Sequence, residues 1–485
     1  MKPISIPDIS LGAIAPEITL TVVALTLLMA EVFADKKGRD NLGYIALGGV
    51  ALAGYFTYAL KGAHFATFGG LYMVDDFSTF FKLIFTLAAG LSILISIKYG
   101  KDEGIDHGEY YAMLLFTTLG MFVMASGEDL ITIFMGLEVM SISLYVLAGI
   151  SRGRAISNEA AIKYFILGAF SSGILLYGMA LIYGATGATG LSAIGSAVAG
   201  NLGGNVMLSV GIVFVMVGFA FKVAAVPFHM WTPDVYQGAP APVAAFMSAG
   251  PKAAAFAAFI RILIEAFPAM RGHWYEIVWV LAVVTMTVGN MAALNQENVK
   301  RMLAYSSISH AGYILVGLAV GTEQAQSSML FYLLVYTFMN IGAFAVLSVV
   351  AGKNEERTSY SDFTGLGYKS PVMALVLSIM IFSLAGIPPM AGFMGKFYIF
   401  MSAINEGFIY LAIIGVLNSV VSVFYYLKLT VYMYMRGEGE TTAPAITFSP
   451  SMAVALALSV YGVIWLGVNP GAYIEMARAA FLSFQ

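Results

Sequence analysis

Long apolar runs separated by short polar breaks repeat along the whole chain. A helix needs about 20 mostly apolar residues to cross the hydrocarbon core of a bilayer. Fourteen runs of about that length follow one another. Their approximate bounds are 11–33, 42–60, 74–98, 110–125, 129–150, 160–184, 205–238, 242–266, 275–294, 302–320, 325–350, 371–403, 407–435 and 450–468. The breaks between them are too short to hold a soluble domain. The pattern therefore predicts an all-α polytopic membrane protein.

The N-terminal segment and the basic residues of the loops predict how the chain is oriented in the membrane. The first ten residues, MKPISIPDIS, carry no small-residue cleavage site, so we expect 11–33 to be a membrane span rather than a cleaved signal. Lys and Arg are unequally distributed between the loops. Loops after odd-numbered spans carry 13 of them: Lys36, Lys37, Arg39, Lys98, Lys101, Arg152, Arg154, Lys300, Arg301, Lys353, Arg357, Lys369 and Arg436. The other side carries four, namely Lys2, Lys61, Arg271 and Arg478. Because basic loops stay in the cytoplasm, both termini are expected on the outer side.

Composition excludes several classes of function. The chain is 60% hydrophobic and only 11% charged, whereas soluble domains carry about 25% charged residues. It has no cysteine, which excludes disulfides, thiol chemistry and cysteine-ligated iron–sulfur clusters within this chain. A net charge of −3 argues against a nucleic-acid partner. Nucleotide and zinc-protease motifs are absent from the sequence. We therefore expect no cofactor and no metal in this chain.

Seven of the 24 basic residues fall inside the apolar runs. A charge at bilayer depth costs several kcal/mol, and its default interpretation is functional. Lys82 and Lys428 lie near the ends of their spans and are expected to reach the interface. Arg261 and Glu265, at i,i+4 spacing, are expected to anchor a helix end. The other four are Lys163, Lys222, Lys252 and Lys396.

One acid and one lysine form the first candidate pair for proton transfer. Glu138 lies near the centre of the fifth span, where an isolated carboxylate would be driven to neutrality unless a cation were near. Lys222 lies five residues before Pro227 in the seventh span. Proline interrupts a helix, and broken backbone at membrane depth lines a hydrated cavity or is buried in protein. A desolvated lysine beside such a break can carry a proton. His229 follows as either a relay or a structural histidine.

The second half of the chain repeats this arrangement imperfectly. Lys396 follows the pair Pro388–Pro389, which interrupts the twelfth span, whereas Lys222 precedes its own break. Two proline-interrupted segments in corresponding halves indicate an inverted-repeat transporter with its ion path at the breaks. Lys252 lies about ten residues inside the eighth span, too deep to reach the interface easily. His310 lies in a stripe of Ser and Tyr and is either a proton relay or a satisfied core histidine. Lys163, four residues after Glu159, is either a helix-end ion pair or a relay.

Three segments carry a family resemblance. FKVAAVPFHMWTPDVYQGAPAPVAAFMSAGPKAAAF, NQENVKRMLAYSSISHAGYILVG and LAGIPPMAGFMGKFYIF resemble the antiporter-like subunits of respiratory NADH:quinone oxidoreductase (complex I). The likeness spans about 110–435 and is greatest to the subunit N branch. The chain lacks the long C-terminal lateral helix expected of subunit L, and it carries Lys396 where subunit M is expected to have a glutamate.

The resemblance implies a fold, partners and residue roles. The fold would be two inverted five-helix repeats, spans 4–8 and 9–13, with helices 7 and 12 broken. The single membrane domain 1–485 would divide into 1–108, 109–270, 271–436 and 437–485. Glu138, Lys222, Lys252 and Lys396 would transfer protons, and Glu109, Lys163, His229 and Lys300 would lie near the same axis. Subunit M and small membrane subunits would be partners in a bacterial inner membrane. FMN, iron–sulfur clusters and quinone would lie in partner subunits.

Two alternative functions remain open from the sequence. A stand-alone or Mrp-type cation/proton antiporter subunit shares the same segments but would transport ions without quinone reduction. A haem- or quinone-binding membrane enzyme subunit belongs to a different class. That alternative would be supported by a visible haem spectrum that is lost in His310→Ala.

Overall fold

The computed structural model describes residues 9–33, 41–200, 204–436, 442–444, 446 and 449–483. Nineteen α-helices occur in this part of the chain. The first ten are α1 (Ala15–Phe33), α2 (Leu42–Ala59), α3 (Asp76–Glu103), α4 (Gly108–Ser126), α5 (Leu130–Ala148), α6 (Ala155–Thr186), α7 (Leu191–Ala199), α8 (Val206–Lys222), α9 (Trp231–Gly238) and α10 (Ala241–Arg261). The others are α11 (Arg271–Leu294), α12 (Val299–Val320), α13 (Glu323–Ala351), α14 (Leu366–Lys369), α15 (Pro371–Ala385), α16 (Ala391–Asn405), α17 (Ile409–Tyr434), α18 (Pro450–Val468) and α19 (Gly471–Leu482).

The helices confirm the all-α membrane architecture. Among the described residues, 12 helices are long and apolar enough to span a membrane, and two shorter apolar helices, α8 and α15, stand at the seventh and twelfth predicted spans. These two are the first halves of the broken helices. One small antiparallel hairpin, β1 (Phe65–Thr67) with β2 (Tyr72–Val74), connects α2 to α3. The amphipathic C-terminal helix α19 was not among the predicted elements.

Helix boundaries follow local capping chemistry. Asp75 accepts a hydrogen bond from the Ser78 amide in a capping box that starts α3, and Asp129 accepts one from the Ile131 amide at the start of α5. Gly104 ends α3 and Gly321 ends α12 in the left-handed conformation that glycine adopts without steric cost. These capping residues and glycines explain why the sequence pattern predicts most helix ends to within a few residues.

Small residues bring the helices of the site close together. A Cβ on Gly120 of α4 would lie 2.5 Å from the Gly136 carbonyl oxygen of α5, and one on Gly136 would lie 2.8 Å from the Gly120 carbonyl oxygen. Gly178 of α6 and Gly211 of α8 face each other in the same way. Such contacts replace the hydrophobic driving force that is missing between helices in lipid. They pack α5, which carries Glu138, against α4, and α8, which carries Lys222, against α6.

Helix α10 is the centre of the molecule. Every residue of its membrane-spanning stretch is buried, whereas α1, α6, α11 and α17 expose a large share of their apolar side chains. A helix that is apolar and covered on all sides must be surrounded by protein rather than lipid. Lys252 therefore lies on the most enclosed helix of the described chain.

Lys82 and Arg261 make contacts that differ from those predicted from the sequence. Lys82 was expected to reach the interface, but it is 2% exposed and forms a 2.8 Å ion pair with Glu17. Tyr72 accepts a hydrogen bond from Lys82 and donates one to Glu17. The prediction was wrong because Glu17 of α1 and Tyr72 of β2 supply partners at that depth. Arg261 and Glu265 come only within 4.0 Å, since Arg261 is held mainly by other acids. The N-terminal segment 1–8 with Lys2, and Lys36, Lys37 and Arg39, lie outside the described residues.

Candidate functional site

The first break separates α8 from α9 and begins directly after Lys222. The Trp231 indole donates a 3.0 Å hydrogen bond to the Phe221 carbonyl oxygen. The Val226 amide donates one of 3.0 Å to Thr285 Oγ1 of α11. Backbone groups released by the break therefore find partners on neighbouring elements, as membrane depth requires. Pro227 lies in this segment, as the sequence predicted.

Glu138 and Lys222 lie close together without forming a direct ion pair. Glu138, Ser141 and Tyr145 share one face of α5 at i, i+3 and i+7. The Lys222 ammonium donates a 2.7 Å hydrogen bond to Ser141 Oγ and lies 5.9 Å from the centre of the Tyr145 ring. The charge of Glu138 acts on the ammonium electrostatically. Within the described chain, Glu138 Oε1 is buried and lacks a hydrogen-bond partner. The Ser141 hydroxyl, rather than the Glu138 carboxylate, is therefore the hydrogen-bond partner of the Lys222 ammonium.

Lys252 is the central cation of the molecule. It is 2% exposed on α10, and its ammonium donates 2.7 Å to the Ser307 carbonyl oxygen and also to the Ser307 hydroxyl. The Tyr336 ring centre lies 5.8 Å away. Hydroxyl and carbonyl oxygens stabilise an ammonium without fixing it to an acid. The arrangement suits a group that both holds and releases a proton.

His310 connects the central cation to the second half of the chain. Its Nδ1 lies 2.6 Å from the Tyr332 hydroxyl and its Nε2 lies 3.1 Å from the Tyr426 hydroxyl. Tyr426 in turn shares a hydrogen bond with Ser306. The imidazole also lies 5.2 Å from the ring of Tyr336, which Lys252 approaches, and 5.6 Å from the ring of Tyr313, which Lys396 approaches. Because imidazole and hydroxyls each donate and accept, this cluster can pass a proton along its own hydrogen bonds.

The second break lies between α15 and α16 and contains Pro388 and Pro389, as predicted. Lys396 of α16 reaches back across it. Its ammonium donates to the carbonyl oxygens of Leu384 (2.9 Å) and Ala385 (3.1 Å), and to Ser419 Oγ (2.9 Å). These carbonyls end α15, where the helix dipole favours a cation. The Tyr313 ring centre lies 4.8 Å away. A cavity of about 350 Å³ beside Lys396 opens between α16 and α17.

Three of the candidate relays lie away from this axis. Lys163 is partly exposed and pairs with Glu159 and Asp234 at 2.7 Å each, and Asp234 also pairs with Arg301 at 2.6 Å. His229 lies partly exposed in the first break. Glu109 is exposed at the start of α4. The helix-end interpretation of Lys163 therefore fits its contacts, while the structure brings neither His229 nor Glu109 into the lysine chain.

Glu109 also belongs to the one described group that could hold a metal ion. Ligand atoms of Glu31, His107 and Glu109 lie within 4.8 Å of one another. Two of the three residues are exposed, and Glu31 already accepts a 2.7 Å hydrogen bond from the Gly108 amide. These contacts give the group an ordinary helix-start role.

Lys300 lies in a buried ionic cluster whose acid, Glu355, the sequence analysis missed. Glu355 Oε2 lies 2.6 Å from the Lys300 ammonium and 3.2 Å from Arg154 Nη2. Oε1 accepts hydrogen bonds from the Tyr99 hydroxyl (2.7 Å) and from the Ala241 amide (2.5 Å). Burial alone would raise the pKa of Glu355, but the two cations hold it below its usual range. The cluster joins α3, α10, α12 and the loop before α6.

A second buried cluster lies at the other end of α10. Arg261 contacts Asp75 at 2.7 Å and Glu128 at 2.9 Å. Burial would raise the pKa of Asp75, yet the Arg261 guanidinium and the Ser78 amide keep it below its usual range. For Glu128, burial outweighs the guanidinium and the pKa is raised. Both ends of the helix that carries Lys252 are thus fixed by buried charge networks.

Comparisons with known proteins agree with this geometry. The family model described as NADH:quinone oxidoreductase/Mrp antiporter, transmembrane, matches residues 127–422. A relative from Trichlorobacter lovleyi named NADH-quinone oxidoreductase subunit N is 53% identical over 474 residues, which cover 97% of each chain. The chain belongs to the NADH-quinone oxidoreductase subunit N family. A second relative so named, from Chloroflexus aggregans, is 44% identical over 99% of each chain.

Solved structures extend the likeness to the fold. A chain of respiratory complex I from Thermus thermophilus with bound aureothin superposes with a TM-score of 0.81 at 34% identity, covering 95% of this chain and 98% of that one. A chain of the Mrp complex from a Dietzia species gives 0.84 at 22% identity, covering 97% and 98%. The latter identity shows a shared fold alone. The antiporter-like fold that the family resemblance implied is confirmed.

Proposed function

We propose that this chain translocates protons as a membrane subunit of an NADH:quinone oxidoreductase. One observation carries the proposal. Four buried titratable groups, Lys222, Lys252, His310 and Lys396, follow one another from the partly buried Glu138, crossing from one broken helix to the other. Ionisable groups are rare at membrane depth, and a succession of them marks an ion pathway. The names of the subunit N relatives support the assignment to the oxidoreductase.

Proton transfer in this scheme uses lysines as carriers. Lys222 gains a proton when the charge of Glu138 stabilises its ammonium, and it releases the proton when that influence weakens. Lys252 and Lys396 each hold a proton against hydroxyl and carbonyl oxygens, which do not trap it as a salt bridge would. His310 with Tyr332 and Tyr426 passes the proton between them. Lys163, His229, Glu109 and Lys300 remain outside this minimal path.

The energy and the redox chemistry come from partner subunits. The chain lacks cysteine, so we place FMN, iron–sulfur clusters and the quinone site in other subunits, and we assign this chain no cofactor. Subunit M and small membrane subunits are the proposed neighbours. The distribution of basic residues supports termini on the periplasmic side of a bacterial inner membrane. We assign 109–270 and 271–436 to the two repeats, with 1–108 and 437–485 flanking them.

Lys252→Met tests the proposal. NADH-driven proton uptake and NADH:quinone turnover are measured in the same membrane vesicles, and each rate is normalised to the amount of assembled complex. We expect proton uptake to fall at least about tenfold, because acid–base groups contribute 10²–10⁴-fold when they transfer protons directly. Turnover should fall with it, since the two are coupled. Lys428→Met is the matched control, because Lys428 lies in a membrane helix but contacts the Tyr360 ring at 4.4 Å instead of the path.

Two results would contradict the proposal. Wild-type rates in an assembled Lys252→Met complex would remove Lys252 from the path. If membranes that carry the wild-type chain show cation/proton exchange but no NADH:quinone turnover, the chain is a stand-alone antiporter subunit. That alternative rests on the shared fold with the Mrp complex.

A further inference from the structure

A groove that is independent of the lysine chain runs along α3 at the surface of the described chain, beside the exposed side chains of Tyr461 and Trp465. It consists of two adjoining cavities of about 290 and 230 Å³ that share Phe80, Leu83 and Met476. Its walls are α3, α13, α18 and α19. The C-terminal helix α19 is fixed over it by the ion pair between Arg478 and Glu323, at 2.5 Å, and by the hydrogen bond from the Phe77 amide to Ser483 Oγ, at 3.2 Å.

The two ends of the groove differ in polarity. Lys61 and Asp76 form its mouth, where Asp76 Oδ1 accepts a 2.7 Å hydrogen bond from the Gly62 amide. The other end is lined by apolar and aromatic side chains, including Leu87, Phe338 and Trp465. One end thus offers a cation beside a carboxylate, and the remainder offers only hydrocarbon contact. A ligand that fits must be amphipathic, with both charges in its polar part.

The length of the groove matches one leaflet of a bilayer. Asp76 and Leu87 are 11 residues apart on α3. At 1.5 Å rise per residue they are separated by about 16 Å along the helix. Half of a hydrocarbon core of about 30 Å is about 15 Å. The polar mouth therefore lies at headgroup level when the apolar end lies near the bilayer midplane.

We propose that this groove binds one phospholipid whose headgroup carries a phosphate and a primary ammonium, as in phosphatidylethanolamine. Lys61 would pair with the phosphate, and Asp76 Oδ2 would accept a hydrogen bond from the ammonium. One acyl chain would fill the groove beneath α19. Apolar contact alone gives no preference for the groove over bulk lipid, because lipid tails are as apolar as the side chains. Selectivity must therefore come from the headgroup pair.

The test uses the purified, intact complex in nanodiscs. Phosphatidylethanolamine, phosphatidylcholine and phosphatidylglycerol, each with a diazirine in the acyl chain, are photo-crosslinked in parallel and the adducts are mapped by mass spectrometry. We expect several-fold more phosphatidylethanolamine adducts than either other lipid on Leu83, Leu87 and Trp465. Choline has no N–H donor for Asp76, and glycerol has no cation. Exposed Phe165 and Phe170 of α6 report labelling by bulk lipid and should show no headgroup preference.

Two substitutions separate headgroup recognition from simple access. Lys61→Ala and Asp76→Asn should each reduce the phosphatidylethanolamine signal to the phosphatidylcholine level, while adducts on α6 stay unchanged. Ala479→Phe, which narrows the groove at α19, should reduce all three signals. Equal labelling by the three lipids would overturn the proposal in favour of bulk lipid. A preference for phosphatidylglycerol would remove the role of Asp76. Absence of groove adducts, with α6 still labelled, would show that a partner subunit covers this face.

Discussion

The two broken helices place a lysine ammonium at similar electrostatic positions by different routes. Lys222 belongs to the last turn of α8, immediately before its break. Lys396 lies on α16, after its break, and reaches back to the carbonyl oxygens that end α15. In both cases the cation lies at the C-terminal end of the first half-helix, where the dipole favours positive charge. Along the sequence the two lysines lie on opposite sides of their breaks, although both positive charges lie at the end of the preceding half-helix.

The difference between the breaks lies in what opposes each charge. The Lys222 ammonium donates a hydrogen bond to one hydroxyl, Ser141 Oγ, and Glu138 lies on the same face of α5 as that serine. Lys396 is held by two carbonyl oxygens and one hydroxyl, and the described residues place no carboxylate within 4.0 Å of it. A carboxylate can be brought nearer or moved away, whereas helix-end carbonyls are fixed. We infer that the first break is the switched site and the second is the fixed end of the path.

Glu138→Gln tests the switched site and should have the largest effect among the variants that sharpen this comparison. The amide keeps the shape of the side chain but removes the charge that acts on Lys222. Proton uptake should fall about a hundredfold in assembled complex, at the low end for groups that take part in proton transfer. Glu406→Gln, an exposed acid at the end of α16, is the control. An unchanged rate in Glu138→Gln would mean that Lys222 works without a charge partner.

Lys396 variants separate its structural role from its proton role. Lys396→Met should lower proton uptake at least about tenfold, because a proton carrier is lost. It should also lower the free energy of unfolding by about 1–3 kcal/mol, because the buried carbonyls of Leu384 and Ala385 lose a donor. Lys396→Arg should recover the stability but not the uptake, because a guanidinium stays charged in proteins. The readouts are thermal unfolding of the complex and vesicle pumping. Recovery of pumping in Lys396→Arg would make Lys396 a fixed cation instead of a carrier.

Glu355→Gln should have the smallest effect on pumping per assembled complex, about twofold, because the cluster fixes α10 without lying on the path. Its effect on stability should be larger, about 3 kcal/mol, since Lys300 and Arg154 would lose their buried acid. The pKa of Glu355 lies below its usual range. Its contribution is therefore complete above the unfolded pKa of about 4.3 and declines as the pH falls further.

Thermal unfolding of wild type and Glu355→Gln across pH 7.5 to 4 checks this account of the cluster. The gap between the two midpoints should stay constant over most of that range and narrow only near its acidic end. A gap that already closes between pH 7 and 6 would show that Glu355 is protonated near neutrality, contrary to the contacts described.

The membrane fold could be predicted from the sequence because its determinants are local. Apolar run length gives the spans, and Pro227 and Pro388 mark the two breaks directly. The lysines Lys222, Lys252 and Lys396 stood out because charge is rare in such runs. Partners distant in sequence could not be predicted. Glu355 lies in a polar loop among other acids, and only folding buries it against Lys300 and Arg154.

The same limit explains the wrong expectation for Lys82. Its depth in the span suggested that it would reach the interface, whereas Glu17, 65 positions earlier, meets it inside the protein. Ser307 belongs to the stripe of Ser and Tyr around His310, but neither its contact with Lys252 nor that of Ser141 with Lys222 could be predicted, because a serine in an apolar helix does not indicate its partner. Hydroxyls that contact a buried ammonium become visible only when helices are packed together.

Lys222→Met in assembled complex tests the central claim most directly. NADH-driven proton uptake and NADH:quinone turnover are measured in the same vesicles beside wild type and Lys428→Met. The account predicts that uptake falls at least about tenfold together with turnover, as expected for a direct proton carrier, while Lys428→Met keeps wild-type rates. Wild-type uptake and turnover in a fully assembled Lys222→Met complex would contradict it and leave Lys222 a structural lysine.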